Sequence, residues 1–499
     1  MNSNIEKKKI AIVGAGQAGL QLAMSLLEDR AHEVTLFSDR TSEEIAGGPL
    51  MATAIMFHNK RTIERALGLD FWEDQGTPVS GIEISICSEG GELATAFSAP
   101  FTDGAGMALD FRLKFPAWMD EFERRGGRLV IRKTGIGELE QLAAENDLVV
   151  VAAGKGPLSK LFERDPDRSP PYNAPMRHIV AVVVDRDLGI SNMAISIIPG
   201  GAEIVLLPIL DAEGKRSTAI LVFSQTGTSF HEEFRNIESG DEALEMALRC
   251  ATIYCPEYAD RLCGARLTDA RSHLHGAFTP VVRKPVGHLP SGAIVMGASD
   301  CLTLVDPICG NGLNNAAVMS KILAERIASN ERGRFDEAWM QSTFDEFWNY
   351  GKDVYIFMRA LLEQPPYFGA ALEPASRCPA LASDIVNGYT DPVAFARWME
   401  DAPTAQVHID RRVAVAMLGN PNAEQPAKAL GRAAATALPL LNVLLWISVL
   451  GALIWTSGAI SSGGEGNSME PAAIQSPLEG NLSGPGHQSH LREDASRRP

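Results

Sequence analysis

The chain has 499 residues, of which 45% are hydrophobic and 21% charged. That length allows about three domains and a large buried core, and the composition excludes wholesale disorder. With 45 Lys and Arg against 62 Asp and Glu, the net charge is −17 and the pI about 5.1. So acidic a chain lacks the cation excess that nucleic-acid binding needs. Its seven cysteines include no CxxC pair, so neither a disulfide framework nor a zinc site is indicated, no metal is expected, and a reducing cytoplasm is the natural compartment.

The N-terminal MNSNIEKKKIAIVGAG carries only a short apolar run, Ile10 to Val13, before a glycine turn, too short for a secretory h-region. KIAIV predicts a buried strand, Ala18 to Leu27 a helix, and EVTLF (Glu33 to Phe37) a second strand. That βαβ unit implies a parallel sheet. A helix is expected over Phe111 to Arg125, stopped at Gly126-Gly127, followed by the strands RLVIR and DLVVVAAG (Asp147 to Gly154).

Between Met176 and Gln225 the pattern changes. HIVAVVVD, MAISIIPG, AEIVLLPIL and STAILVFS read as strands with no helical stretch between them, which predicts an inserted antiparallel meander. AIVMGASD (Ala293 to Asp300) resumes the parallel style. Residues 336–363 predict an aromatic-rich helix ended by Pro365-Pro366, with short helices to about residue 420. Its Phe344, Trp348, Tyr350, Tyr355 and Phe357 either pack a core or line a substrate channel. His273 and His275, near Cys263, lack a nameable fourth ligand and are read as structural. The stretch 437–460 holds no charged residue and has Arg411, Arg412, Lys428 and Arg432 upstream. About 20 apolar residues span a bilayer, and that charge asymmetry would keep the preceding domain cytoplasmic. A buried or interfacial helix is the alternative. The tail 461–499 is Ser/Gly/Pro-rich and reads as disordered.

Two motifs carry chemistry. The first is Gly14-Ala15-Gly16-Gln17-Ala18-Gly19, between a strand and a helix. Gly14 makes the tight turn, Gly16 lets backbone approach a pyrophosphate, and Gly19 lets helix and strand pack closely. The helix N-terminus then faces the phosphate charge. A ribose-binding acid is expected after the second strand, where Asp39 is the candidate and a solvated turn residue the alternative. The second motif is Gly297-Ala-Ser-Asp300, then VDPICGNGLN from Val305 to Asn314. Asp300 can accept hydrogen bonds from a ribityl chain. Pro307, Gly310 and Gly312 bend the backbone into a helix start, ending at Asn314, whose positive end suits an anionic flavin. Together the motifs fit two halves of one FAD site, against the alternative of glycine turns without a ligand.

On these residues the chain resembles the FAD-dependent epoxidase component of styrene and indole monooxygenases, within the flavin hydroxylases of the para-hydroxybenzoate hydroxylase fold. The resemblance is carried by IAIVGAGQAGL at 10–20, VTLFSDR at 34–40 (with Arg40), FHN at 57–59 with Arg65, LDFRLKFP at 109–116 and VDPICGNGLN at 305–314, and runs from about residue 8 to 410. The chain departs from the family at Ser299-Asp300, in place of Gly-Asp, and at Asn311, in place of Gln.

The resemblance implies that a separate NAD(P)H flavin reductase supplies reduced FAD. With O2 this forms a C4a-hydroperoxide, which epoxidises or hydroxylates a small apolar aromatic alkene or indole-like substrate. It implies catalytic contacts for His58 and Asn59, and flavin contacts for Arg65 and Arg112, with a hydrogen-bonded core histidine the alternative for His58. Single-component hydroxylases carry Asp-Gly after the strand matching DLVVVAAG. Here Gly154-Lys155-Gly156 follows, and Lys155 is either a phosphate contact or a solvated lysine.

The expected fold is α/β (α+β mixed): a Rossmann-like FAD-binding domain from 1–175 and 288–330, an inserted antiparallel-sheet substrate domain at 176–287, and a C-terminal helical region at 331–420. A transmembrane anchor at 433–460 and the tail complete it, and a homodimer is kept as an assembly. Three other functions remain as alternatives. A flavin-dependent halogenase would be expected to show a WxWxIP segment, which is absent. The others are a single-component NAD(P)H hydroxylase and a non-catalytic membrane-tethered flavin-binding protein.

Overall fold

Strand Lys8–Val13 is buried on both faces from Ile10 onward, as a central parallel strand must be. It pairs in parallel with His32–Ser38 on one side and Leu148–Val151 on the other. Arg128–Ile131 extends the sheet beyond His32–Ser38, and Ile294–Gly297 lies beside Leu148–Val151. An antiparallel edge strand, Val286–His288, completes six strands. The C-terminal ends of the parallel strands therefore open along one edge, where open α/β sheets bind ligands. The Ile294–Gly297 pairing brings the second glycine motif to the same edge as the first.

This computed structural model describes residues 7–418, apart from 30, 155, 235 and 331–332. The chain divides into two units, Met1–Pro426 and Ala427–Pro499, and only the first contains described residues. The anchor expected at 433–460, the tail at 461–499 and Lys155 thus lie outside the described residues. Among the described residues, no helix is long and apolar enough to cross a membrane.

The second sheet has seven strands, ordered His273–Gly276, Arg177–Val184, Arg216–Gln225, Ala202–Leu210, Asn192–Ile198, Gly81–Cys87 and Leu93–Pro100. It corrects two expectations. Arg177–Val184 pairs with Arg216–Gln225 rather than with Asn192–Ile198, so only the last three of the four expected strands form a meander. The sheet also takes Gly81–Cys87 and Leu93–Pro100 from within 1–175, and Gly81–Cys87 runs parallel to Asn192–Ile198. Strands buried on both faces carry no local signal of their order, so long-range packing decided it. GIEISIC does alternate Ile with polar residues, a period-2 signal for a strand.

Alternation divides this sheet's two faces. Ile204, Leu206, Ile220 and Val222 pack with Ala243, Ala247, Cys250 and Ala251 of helix Gly240–Tyr254. Val205, Leu207, Leu221 and Phe223 point the other way and join the main core. Helix Glu337–Glu363 is capped by Asp336, which accepts from Trp339 N at 3.0 Å, and it ends at Gln364 before Pro365-Pro366. Four shorter helices follow, the last being Ala402–Leu418. Phe344, Tyr355 and Phe357 are buried core residues, and Phe357 packs edge-on against Tyr389 at 4.9 Å.

Candidate functional site

Each glycine of the first motif meets a different constraint. Gly14 has φ +116°, and a Cβ there would lie 2.4 Å from the Ala152 carbonyl oxygen. A Cβ on Gly19 would lie 1.8 Å from the Gly14 oxygen, so helix Gln17–Asp29 approaches its strand only because Gly19 has no side chain. At Gly16 an added Cβ meets nothing within 4 Å. That residue faces open space at the helix N-terminus, whose free N–H groups and positive dipole end suit a phosphate. Gln17 Nε2 donates to Gln21 Oε1 at 3.0 Å and Glu64 Oε1 at 2.9 Å, while its own Oε1 is buried without a partner. Glu64 also accepts from the buried Lys114 Nζ at 2.6 Å. Burial pushes the Lys114 ammonium down, and the Glu64 carboxylate opposes that shift.

The second motif is a turn pinned from several sides. Asp306 accepts from Ile308 N at 2.9 Å, and Gly310 adopts φ +62°. Asn314 Oδ1 accepts from Phe57 N at 3.0 Å, and its Nδ2 donates to the Ile55 and Gly310 carbonyls, both at 2.9 Å. Asn311 Nδ2 donates to Cys309 O at 2.7 Å and Tyr389 O at 3.2 Å, leaving its buried Oδ1 unpartnered. Helix Gly312–Ala328 starts here and presents a second set of free N–H groups.

Both turns line one cavity of about 710 Å³, within the usual range for a large ligand. Gly14, Gly16, Gln17, Ala18, Asp39, Arg40 and Gly154 line one part, and Asp300, Pro307, Gly310 and Gly312 another. The wall from the seven-stranded sheet is Met193, Ile195, Glu203, Val205, Leu207, Leu221 and Phe223. These residues fit FAD. Gly16 leaves a cradle that a side chain would fill, an orphaned Gln17 oxygen lies beside it, and two helix N-termini serve one dinucleotide-sized space.

Six expected site residues do not line this cavity. Gly19 shapes the first turn and Asn314 holds the second. The other four, for which the resemblance implied catalytic or flavin contacts, have other neighbours. His58 starts helix His58–Ala66 with its ring against Gly104, where a Cβ would meet it at 2.7 Å. Asn59 Nδ2 donates to Thr390 O at 2.9 Å. Arg65 pairs with Asp70 at 3.2 Å and Glu73 at 2.6 Å. Arg112 is engaged by Asp110 at 2.7 Å, Asp269 at 2.9 Å and Ser272 at 2.9 Å. Carboxylates engage Arg65 and Arg112 and a carbonyl engages the Asn59 amide nitrogen, while Asn59 Oδ1 and Arg65 Nε stay without a hydrogen bond, and none of the four lines the cavity. The aromatics of helix Glu337–Glu363 also stay out of the wall, so packing rather than channel lining is their role.

The sequence reading missed several lining residues. Arg132, Lys133 and Thr134 follow strand Arg128–Ile131, and the position of that strand beside His32–Ser38 was a signal for them. Glu203 interrupts an apolar run, and Tyr389 sits between short helices. Burial pushes the Glu203 carboxyl up, against the pull of Arg177. Among the described residues, no group of three or more His, Cys, Asp or Glu could hold a metal ion.

Residues 154–261 match the family model described as the styrene monooxygenase A putative substrate binding domain. The chain is 29% identical over 400 residues to styrene monooxygenase StyA of Pseudomonas fluorescens, covering 77% of this chain and 94% of that protein. StyA of a further Pseudomonas species matches to the same extent. Among solved structures, the flavin-dependent brominase Bmp2 superposes with a TM-score of 0.57 at 15% identity, covering 81% of this chain and 98% of that one. A flavoprotein/dehydrogenase from Cytophaga hutchinsonii gives 0.56 at 12% identity, covering 83% and 100%. Both share this fold.

Proposed function

We propose that this relative of the styrene monooxygenases is an FAD-dependent monooxygenase of the styrene/indole type, receiving reduced FAD from a separate flavin reductase and inserting one oxygen atom of O2 into a small apolar aromatic substrate. One observation carries the reading: both glycine turns and the apolar face of the seven-stranded sheet line a single cavity. Bound reduced FAD supplies the electrons and activates O2. The chain does the rest. Backbone at Gly14 to Gln17 would receive the pyrophosphate, and Asp300 would accept from the ribityl hydroxyls. The start of helix Gly312–Ala328 offers N–H groups to the negative edge of the ring. Met193, Ile195, Val205, Leu207, Leu221 and Phe223 exclude water from the substrate end.

Within this reading, 288–330 completes the FAD-binding part begun in 1–175, and 176–287 supplies most of the substrate wall. We place the catalytic unit in the cytoplasm and read 437–460 as an anchor. Extraction of the full chain from membranes by detergent, but not by high salt, tests that assignment.

The functional test is reconstitution. Protein with FAD and NADH alone should oxidise almost no NADH, and a flavin reductase should switch on oxygenation of a styrene, indole or sulfide. Strong NADH consumption without the reductase would establish a single-component hydroxylase. Bromination of indole would establish a halogenase. Failure to oxygenate any of the panel despite bound reduced FAD would leave a binding protein.

A further inference from the structure

The substrate wall contains one charge in an otherwise hydrocarbon surface. Of the residues that the seven-stranded sheet contributes to the cavity, Glu203 alone is charged. It is 7% exposed and lies on the same strand face as Val205 and Leu207. Its Oε2 accepts from Arg177 Nη1 at 2.8 Å. Arg177 also bonds Asp306, and its guanidinium lies 4.3 Å over the Phe223 ring. Two carboxyl groups thus share one cation, all buried. Among the described residues, no hydrogen bond reaches Glu203 Oε1. The Glu203 side chain borders the cavity, where a donor entering that space can form a charge-assisted hydrogen bond with it.

Position gives this acceptor its use. Asp306 caps the turn that carries Pro307 and Gly310, both on the cavity wall. Glu203 is therefore tied through one guanidinium to the turn at the flavin end. A substrate hydrogen-bonded there would lie beside that turn, within the wall formed by Val205, Leu221 and Phe223.

We propose that Glu203 is the specificity-determining acceptor of this site, selecting aromatic substrates that carry a ring N–H over hydrocarbons of the same shape. Arg177 is its positioning residue, orienting the carboxylate and linking it to the Asp306 turn. The assignment rests on the monooxygenase reading and deepens it. A hydrogen-bonding site rejects an analogue lacking the donor far more strongly than an apolar pocket rejects a change of one methylene.

Indole and indene form the matched pair, because indene replaces the N–H with CH2. Two measurements use the full-length protein loaded with oxidised FAD, then with the reductase. Titration of each ligand, followed by flavin absorbance, should show indole binding at least about tenfold tighter. The ratio of kcat/KM for indole over indene should be similarly large. Glu203→Leu should bring both ratios to within about twofold of one. Glu203→Gln keeps the volume and a carbonyl acceptor, and should give an intermediate ratio. Equal binding of the two ligands by the unmodified protein overturns the proposal without any variant, as does a ratio unchanged in Glu203→Gln. Equal turnover of both compounds sinks this inference and leaves the monooxygenase reading standing. Turnover of neither sinks that reading, and the titration still decides whether Glu203 discriminates.

Discussion

Substituting Gly16 and Gly19 of the first motif should produce opposite phenotypes. An added Cβ at Gly16 meets nothing within 4 Å, so Gly16→Val leaves the apoprotein fold intact. Its stability should change by no more than about 1 kcal/mol. The valine methyls would fill the space where helix Gln17–Asp29 presents its free N–H groups to the cavity. Loss of the pyrophosphate approach should raise the FAD Kd at least about 100-fold, which is about 2.7 kcal/mol. Gly19→Ala is the counterpart. Its Cβ would start 1.8 Å from the Gly14 oxygen, so the helix must retreat by more than an ångström to restore van der Waals distance. Overpacking of that kind costs about 1–3 kcal/mol. Thermal unfolding of the apoproteins and titration of FAD by flavin fluorescence separate the two. Undiminished FAD affinity in Gly16→Val would refute the placement of the site. An unchanged melting temperature in Gly19→Ala would refute the packing argument.

Arg112→Lys loses the forked bonds to Asp110 and Asp269, so it should cost about 1–3 kcal/mol of stability while FAD affinity stays within about twofold; a large fall in affinity with unchanged stability would return Arg112 to the flavin. Breaking the buried Glu64–Lys114 pair with Glu64→Ala should cost about 3–5 kcal/mol in denaturant unfolding, and adding Lys114→Met should recover most of it. Burial lowers the Lys60 ammonium from 10.5 to about 8, with Asp103 and Asp391 opposing. The unfolded chain then holds a proton that the native state lacks between those values. Stability from this group therefore rises with pH across that window, by on the order of 3 kcal/mol in full, and is flat below it. Unfolding free energies from pH 7 to 10.5 should show this rise relative to Lys60→Met, and parallel curves would disprove it.

Much of the cofactor end was legible in the chain itself. The glycine motif sits in a strand–turn–helix context; Gly14 makes the expected tight turn, Gly19 the expected close packing, and Gly16 faces open space. The second motif was equally readable, because Pro307 fixes its own φ and glycine permits the left-handed turn that Gly310 adopts. The residues assigned through FHN and DFR do not line the cavity. Charged and polar side chains take whatever partner the fold supplies, and for Arg112 that includes Asp269, far along the chain. Glu203 shows the converse. Nothing within AEIVLLPIL announces that its carboxylate borders a cavity, and only Arg177 and Asp306, brought from separate segments, give it a role.

The amino-acid order alone determined the βαβ start, the two glycine turns, the proline stop after residue 363 and the apolar strands of the seven-stranded sheet. Those features depend on φ/ψ limits and on side-chain periodicity over a few residues. The tertiary structure decided the order of the seven strands, the recruitment of residues 81–100, the convergence of two distant turns on one cavity and the long-range partners of Arg112 and Glu203. Those outcomes depend on which surfaces bury one another across hundreds of residues, and no local window contains that information.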